Sequence, residues 1–156
     1  MSAELWDDYV AVHPEHAGRT APVDRFGDSP ELADELIELV VSGRKRATAG
    51  LLAAYEHDGI PVPVEGDHWV AADGSGTPRV VLRIGDVRVG RLDSVDEDFA
   101  RDEGEGDLSV AWWLHAHRAF MSREMERLGL PTPDGIDAVD VVFERFRVVW
   151  PEDLAD

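Results

Sequence analysis

One segment of this chain has both of its ends written in its residues. Ser29 is a good helix N-cap, and Pro30 suits the first helical position, where its missing N–H costs nothing. Glu31 and Asp34 complement the positive end of the helix dipole. Leu32, Leu36, Leu39 and Val40 recur at i, i+4, i+7 and i+8, one apolar stripe. Gly43, after Ser42, can take the left-handed conformation that closes a helix. The spacing predicts a helix over residues 30–42 with one face buried. It delivers the next residues, Gly43-Arg44-Lys45-Arg46-Ala47-Thr48, to the negative end of its dipole.

That run is basic in an acidic chain. There are 15 Lys+Arg against 33 Asp+Glu, a formal net charge of -18. Two readings compete. Arg44 and Lys45 complement the helix dipole or pair with nearby carboxylates, as cations near a helix C-terminus often do. Alternatively the cluster holds a polar or anionic ligand and activates a nucleophile. A threonine hydroxyl is a weak nucleophile alone and needs a base, which an amine can supply. Lys45, three residues before Thr48, is the candidate base.

The charge restricts the partners. Phosphate repels such a surface, so an extended duplex nucleic acid is not expected. Beyond a Debye length of about 8 Å the global charge fades and the local patch decides, so a nucleoside or one exposed nucleotide remains open. At 156 residues, 44% hydrophobic and 31% charged, the chain reads as one globular domain. No apolar run approaches the ~20 residues of a membrane helix. The N-terminal residues lack the pattern of a signal peptide. Without cysteine there is neither a disulfide framework nor a thiolate metal site. A cytoplasmic location is expected, with the oligomeric state open.

Residues 1–25 read as an N-terminal arm, a short helix then loop, which Trp6 and Tyr9 at i,i+3 pin to the body. Residues 48–55 are ambiguous between strand and helix. Strands are predicted over 68–72 and 79–84, joined by Asp73-Gly74-Ser75-Gly76 into a hairpin, and over 87–92 after a turn at Gly85-Asp86. Ser94-Val95-Asp96-Glu97 matches a capping box, so a helix should start near Val95 and end near Glu103. A longer helix follows over 109–129, with Trp113, Ala116, His117 and Phe120 on one face. Residues 138–150 are β-rich, and 151–156 form a tail. The order of elements gives an α+β class with a mostly antiparallel sheet, either open or closed into a small barrel.

The loop Asp102-Glu103-Gly104-Glu105-Gly106-Asp107 either brings carboxylates to a site or is a solvated acidic loop; its spacing does not fit a calcium loop. His115 and His117 point about 200° apart on a helix and do not converge on a metal. His117, on the apolar face, reads as a core histidine with a hydrogen-bond partner. No metal and no cofactor are expected. Phosphate loops, dinucleotide fingerprints, G-x-S-x-G elbows and HExxH are all absent.

The segment Phe26-Gly27-Asp28-Ser29-Pro30-Glu31-Leu32 leading into Gly43-x-Lys45-x-x-Thr48 resembles bacterial ASCH-domain proteins. So do Glu65-Gly66-Asp67, Ala100-Arg101-Asp102-Glu103-Gly104, the helix from Trp112 to Phe120 and the ending Phe143-Glu144-Arg145-Phe146-Arg147-Val148-Val149. The resemblance covers residues 26–150. It implies a small PUA-like (ASCH) β-barrel with flanking helices, and a cleft for a modified nucleoside or RNA. ASCH relatives include acetylcytidine amidohydrolases, RNA-binding modules and ribonucleases. Carried over by motif, the catalytic candidates are Lys45, Thr48 and Glu103, with Glu105 as the alternative carboxylate. Arg44, Arg46 and Trp6 are the candidate substrate contacts. Relatives with the amidohydrolase activity often carry an arginine two residues after the threonine, where this chain has Gly50.

Overall fold

The residues that predict a helix build one. A computed structural model describes residues 2–156, with side chains from residue 4 onward, so Met1 of the predicted arm lies outside the described residues. The helix here called α2 spans Pro30–Val41; the Ser29 hydroxyl accepts from the Leu32 N–H at 3.1 Å. Ala33, Leu36, Ile37 and Val40 are buried. Gly43 has φ 89°, and the amides of Arg44 and Lys45 both donate to the Leu39 carbonyl, at 3.0 and 3.1 Å. The chain thus leaves α2 through a left-handed glycine turn that satisfies the last helical carbonyls.

Around it lie α1 (Ser2–Val12), β1 (Val23–Asp24), β2 (Ala47–Leu51), α3 (Leu52–Asp58), β3 (His68–Ala72), β4 (Pro78–Arg91), α4 (Glu97–Glu103), α5 (Val110–Leu128) and β5 (Asp140–Trp150). The ambiguous segment after the basic run is both elements in turn. It pairs as strand with β5 as far as Leu51, then coils into α3, which ends at the left-handed Gly59.

The strands are hydrogen-bonded in the order β1-β3-β4-β5-β2. β3 runs antiparallel to β4 with Val70 opposite Val81, which confirms the hairpin; β1 pairs in parallel with β3; β2 runs antiparallel to β5. The closed barrel is therefore not found. β1 and β2 terminate the order, and a two-residue, exposed β1 offers too few backbone groups to carry a second ladder.

Two local expectations also change. β4 runs unbroken through Gly85-Asp86, because the sheet supplies ladder partners that outweigh a turn dipeptide. Ser94 lies in a 3₁₀ turn, and Asp96 is the N-cap of α4, accepting from the Phe99 N–H at 2.8 Å.

The chain forms two compact units. The first takes the described residues up to Lys45, Glu65–Gly85 and Phe146–Asp156; the second takes Arg46–Val64 and Asp86–Arg145. In the first, Trp6 and Tyr9 of α1 pack on Val70 and Val81. The expected pinning of the N-terminal arm is thus made by these rings. In the second, α4 and α5 lay Phe99, Ala100, Trp113 and Met121 against Ala47, Leu51, Val141 and Phe143. Among the described residues no helix is long and apolar enough to cross a membrane.

Candidate functional site

Lys45 is the last residue of the first unit and is wholly buried, at 0% exposure. Its Nζ lies 5.3 Å from the centroid of the Phe26 ring, a cation–π distance. Burying an ammonium is costly unless it is compensated, so a buried lysine on a loop is a specific feature. Arg44 is exposed and Arg46 half-buried. A dipole-capping role fits Arg44 better than Lys45, whose side chain is withdrawn from solvent. Trp6 sits in the core of the first unit, where its indole N–H donates to the Arg19 carbonyl at 3.0 Å.

Glu103 ends α4 and is 1% exposed, so it is no solvated-loop carboxylate. The α4 end is tied twice: the amide of Arg46, just ahead of β2, donates to the Asp102 carbonyl at 2.7 Å, and Arg145 Nε of β5 donates to Asp102 Oδ2 at 3.0 Å. Two groups of α5 then address Glu103. The Trp113 indole N–H donates to Oε2, and His117 Nε2 lies 3.1 Å from Oε1.

The other nitrogen of His117 fixes the proton count. Nδ1 lies 2.9 Å from the Trp113 carbonyl, an obligate acceptor, so Nδ1 carries a hydrogen. A neutral imidazole would then turn a lone pair at Glu103. The contact is a hydrogen bond only if a second proton lies between Nε2 and Oε1. Burial is the largest influence on His117 and opposes its charge. The Glu103 carboxylate, assisted by Glu105 and the Trp113 carbonyl, outweighs it and raises the imidazole above its usual value. The Trp113 ring stacks on the imidazole at 3.9 Å between centroids.

Glu103, Glu105 and His117 also offer ligand atoms that all lie within 4.8 Å of one another, a convergence that the sequence did not predict. A cation there would have to displace the Glu103–His117 bond. His115 is exposed and takes no part, as its helical angle implied.

Thr48 is the second residue of β2 and pairs with Glu144 of β5. Strand alternation puts Ala47, Ala49 and Leu51 on the face that packs against α4 and α5, with Phe143 and Val141. Thr48, Gly50, Val142 and Glu144 occupy the opposite face. The carboxylate directly across from Thr48 is therefore Glu144, which is 5% exposed. The Tyr55 hydroxyl of α3 donates to Glu144 Oε2 at 3.1 Å. No spacing rule singles out Glu144. Its signal is a lone carboxylate inside the run Val141-Val142-Phe143-Glu144-Arg145-Phe146, in a strand buried on both faces.

A family model described as the ASCH domain matches residues 23–150. The fold is similar to a crystal structure of an ASCH domain from Lactobacillus crispatus JV V101, at 31% identity and TM-score 0.83, covering 94% of this chain and 92% of that one. It is also similar to protein EF3133 from Enterococcus faecalis V583, at 30% identity and TM-score 0.84, covering 95% and 87%. Among proteins with curated descriptions, none matches. The family model over residues 23–150 and these two structures agree: the chain belongs to the ASCH domain family.

Proposed function

We propose that this ASCH domain is an amidohydrolase acting on an acylated nucleoside. The observation that carries the reading is Glu103, buried with its Oε1 3.1 Å from His117 Nε2. A carboxyl group held against a proton source is suited to protonating a leaving amine. Thr48 Oγ1 attacks the amide carbonyl, and the Lys45 amine takes the hydroxyl proton. The C–N bond breaks as Glu103, drawing on the proton of His117 Nε2, protonates the departing nitrogen. Water hydrolyses the acyl-threonine ester that remains: its oxygen joins the acyl carbon, its proton restores the Glu103–His117 pair, and Lys45 returns its proton to the Thr48 oxygen. Lys45 precedes Thr48 by three residues, so their Cα atoms can be no more than about 11 Å apart.

The test is incubation of the protein with acetylcytidine, following cytidine by chromatography. Wild type should turn over. Thr48→Ala, Lys45→Ala and Glu103→Gln should each fall by about 10²-fold or more. No turnover by wild type, or equal turnover by Lys45→Ala, rejects the reading.

The exposed Arg44 favours one alternative, a non-catalytic RNA-binding module or a ribonuclease that grips phosphate. Labelled single-stranded RNA separates these. Binding that falls steeply with salt, or strand cleavage, would favour the alternative; salt-insensitive or absent binding removes it.

A further inference from the structure

Arginines of this chain such as Arg79, Arg118 and Arg145 lie against carboxylates. With 33 Asp+Glu to 15 Lys+Arg, a carboxylate is easily found. Arg19, Arg83 and Arg147 differ: among the described residues none of their guanidinium groups has a hydrogen bond or an ion pair. All three belong to the first unit, and they gather on the sheet face under α1. β3 and β4 set His68 opposite Arg83 and Val70 opposite Val81, and Trp6 and Tyr9 of α1 pack on the two valines. Strand alternation puts His68 and Arg83 on that same face. On β5, the neighbour of β4, Val149 joins this packing, so Arg147 two residues before it shares the face. Arg19 follows the 3₁₀ turn Pro14–His16; its amide donates to the His16 carbonyl at 3.1 Å and its carbonyl accepts from Trp6. The His16 ring lies 4.7 Å from that of His68, and His16 Nδ1 is buried with no hydrogen-bond partner.

Lys45 lies on the other face. Its Nζ sits over Phe26, whose ring packs on Trp69 and Phe146, and these alternate with His68 and Arg147 along β3 and β5. The unpaired cations act on the rings between them. Burial, then His16, Arg83 and Arg19, hold the His68 imidazole at about 4, with Asp67 opposing, so the ring is uncharged at neutral pH. Burial and Glu15 raise the Tyr9 hydroxyl against Arg83 and Arg147. Arg83 thus reaches both rings. The acids that face the cluster are Asp67 and Glu15, the latter 3.8 Å from His13, and the three guanidinium groups outnumber them.

We propose that the first unit binds a phosphate group, free or as a monoester, on the sheet face beside α1: Arg83 grips it from β4, with Arg19 from the loop after α1 and Arg147 from β5. A guanidinium presents its N–H donors in a planar fork that matches two oxygens of a phosphate. The chain as a whole repels anions, but within a Debye length the local charge decides. A bound anion favours a protonated imidazole, so binding raises His68, and by linkage protonation of His68 tightens binding. The site uses none of the groups assigned to hydrolysis, so the loss of either reading leaves the other standing.

The experiment follows the ring protons of His16 and His68 by NMR in the full chain at neutral pH. Sodium phosphate and ribose 5-phosphate are titrated against sodium chloride of equal ionic strength. Both rings should shift saturably with a Kd of about 1 mM or tighter, and chloride should not reproduce the shift. Tighter binding of the sugar phosphate assigns the site to a monoester, and tighter binding of inorganic phosphate assigns it to the free ion. Arg83→Gln should weaken binding about tenfold or more. Arg127→Gln, the same loss of charge taken from a pair with Glu124, should leave it unchanged. The titration midpoint of His68 should rise by about one unit in saturating phosphate. Shifts that do not saturate or that chloride matches, unchanged affinity in Arg83→Gln, equal losses in the two variants, or an unmoved His68 midpoint overturn the inference. If circular dichroism shows that Arg83→Gln does not fold, the exposed Arg147→Gln decides: its affinity must fall, and an unchanged affinity overturns the inference.

Discussion

Glu103 is the residue whose loss the structure should register most sharply. Its carboxylate receives the Trp113 indole and the His117 imidazole, all three buried. Removing one partner of a buried ion pair strands the other, at a typical cost of about 3–5 kcal/mol. Glu103→Ala should therefore lower the unfolding free energy by about that much in urea titrations. Glu103→Gln should cost less, since an amide oxygen still accepts from Trp113. Equal losses would mean that the charge, not the volume of the side chain or its bond to Trp113, is what residue 103 supplies. Lys45, Thr48 and Glu103 could be named as candidates from the sequence because short motifs carry them. Glu144 could not, because its place across from Thr48 is a property of the β2–β5 register, which joins residues far apart in the chain.

Elements were legible where their ends were chemical. The α2 segment begins at a serine cap and stops at a left-handed glycine, both local events. The start of α4 was misplaced because Ser94 and Asp96 are both cap residues, and only the 3₁₀ turn at Leu92–Ser94 decides between them. The open sheet was illegible, since closure depends on the length of β1. Two predictions belong to this scale. The β3–β4 turn meets the first turn of α2 at Gly74, whose N–H donates to Asp34 Oδ1 at 2.7 Å and where a Cβ would lie 2.2 Å from the Pro30 carbonyl oxygen. Backbone cannot yield as a side chain does, so Gly74→Ala should destabilise by about 1–3 kcal/mol in thermal or urea unfolding.

The second concerns the packing of α1. His68 lies against Trp6, Tyr9 and His16, and the Tyr9 hydroxyl is 3.4 Å from its Nε2. Burial, then His16, Arg83 and Arg19, push His68 down to about 4, with Asp67 opposing. A histidine lowered in the folded state is bound by fewer protons there than in the unfolded chain. Its contribution is complete above about pH 6.5 and is lost as pH falls toward 4. Allowing for solvent screening of a half-buried ring, the loss should be about 1–2 kcal/mol between pH 7 and 4. His68→Gln should flatten that part of the stability–pH curve; a curve of unchanged slope would clear His68 of the role.

At the scale of the whole molecule, the net charge of -18 works against compaction. Many ion pairs, such as Arg118–Asp137 and Arg127–Glu124, are exposed and contribute little. Screening should therefore help more than it harms. Raising salt from 10 to 150 mM shortens the Debye length from about 30 to 8 Å, and the urea midpoint should rise. A midpoint that falls would show that attractive pairs dominate. The interleaving of the two units bears on how the protein is made. The second unit takes its residues from Arg46–Val64 and Asp86–Arg145, and the first closes only with Phe146–Asp156, which carries the buried Val148. A ribosome delivers residues in order, so neither unit can complete its core before β5 emerges. The nascent chain carries α1 through α5 before it carries the strand that supplies the last residues of both cores. Translational pauses before residue 140 should thus leave the protein open to proteolysis, and pauses after 150 should not.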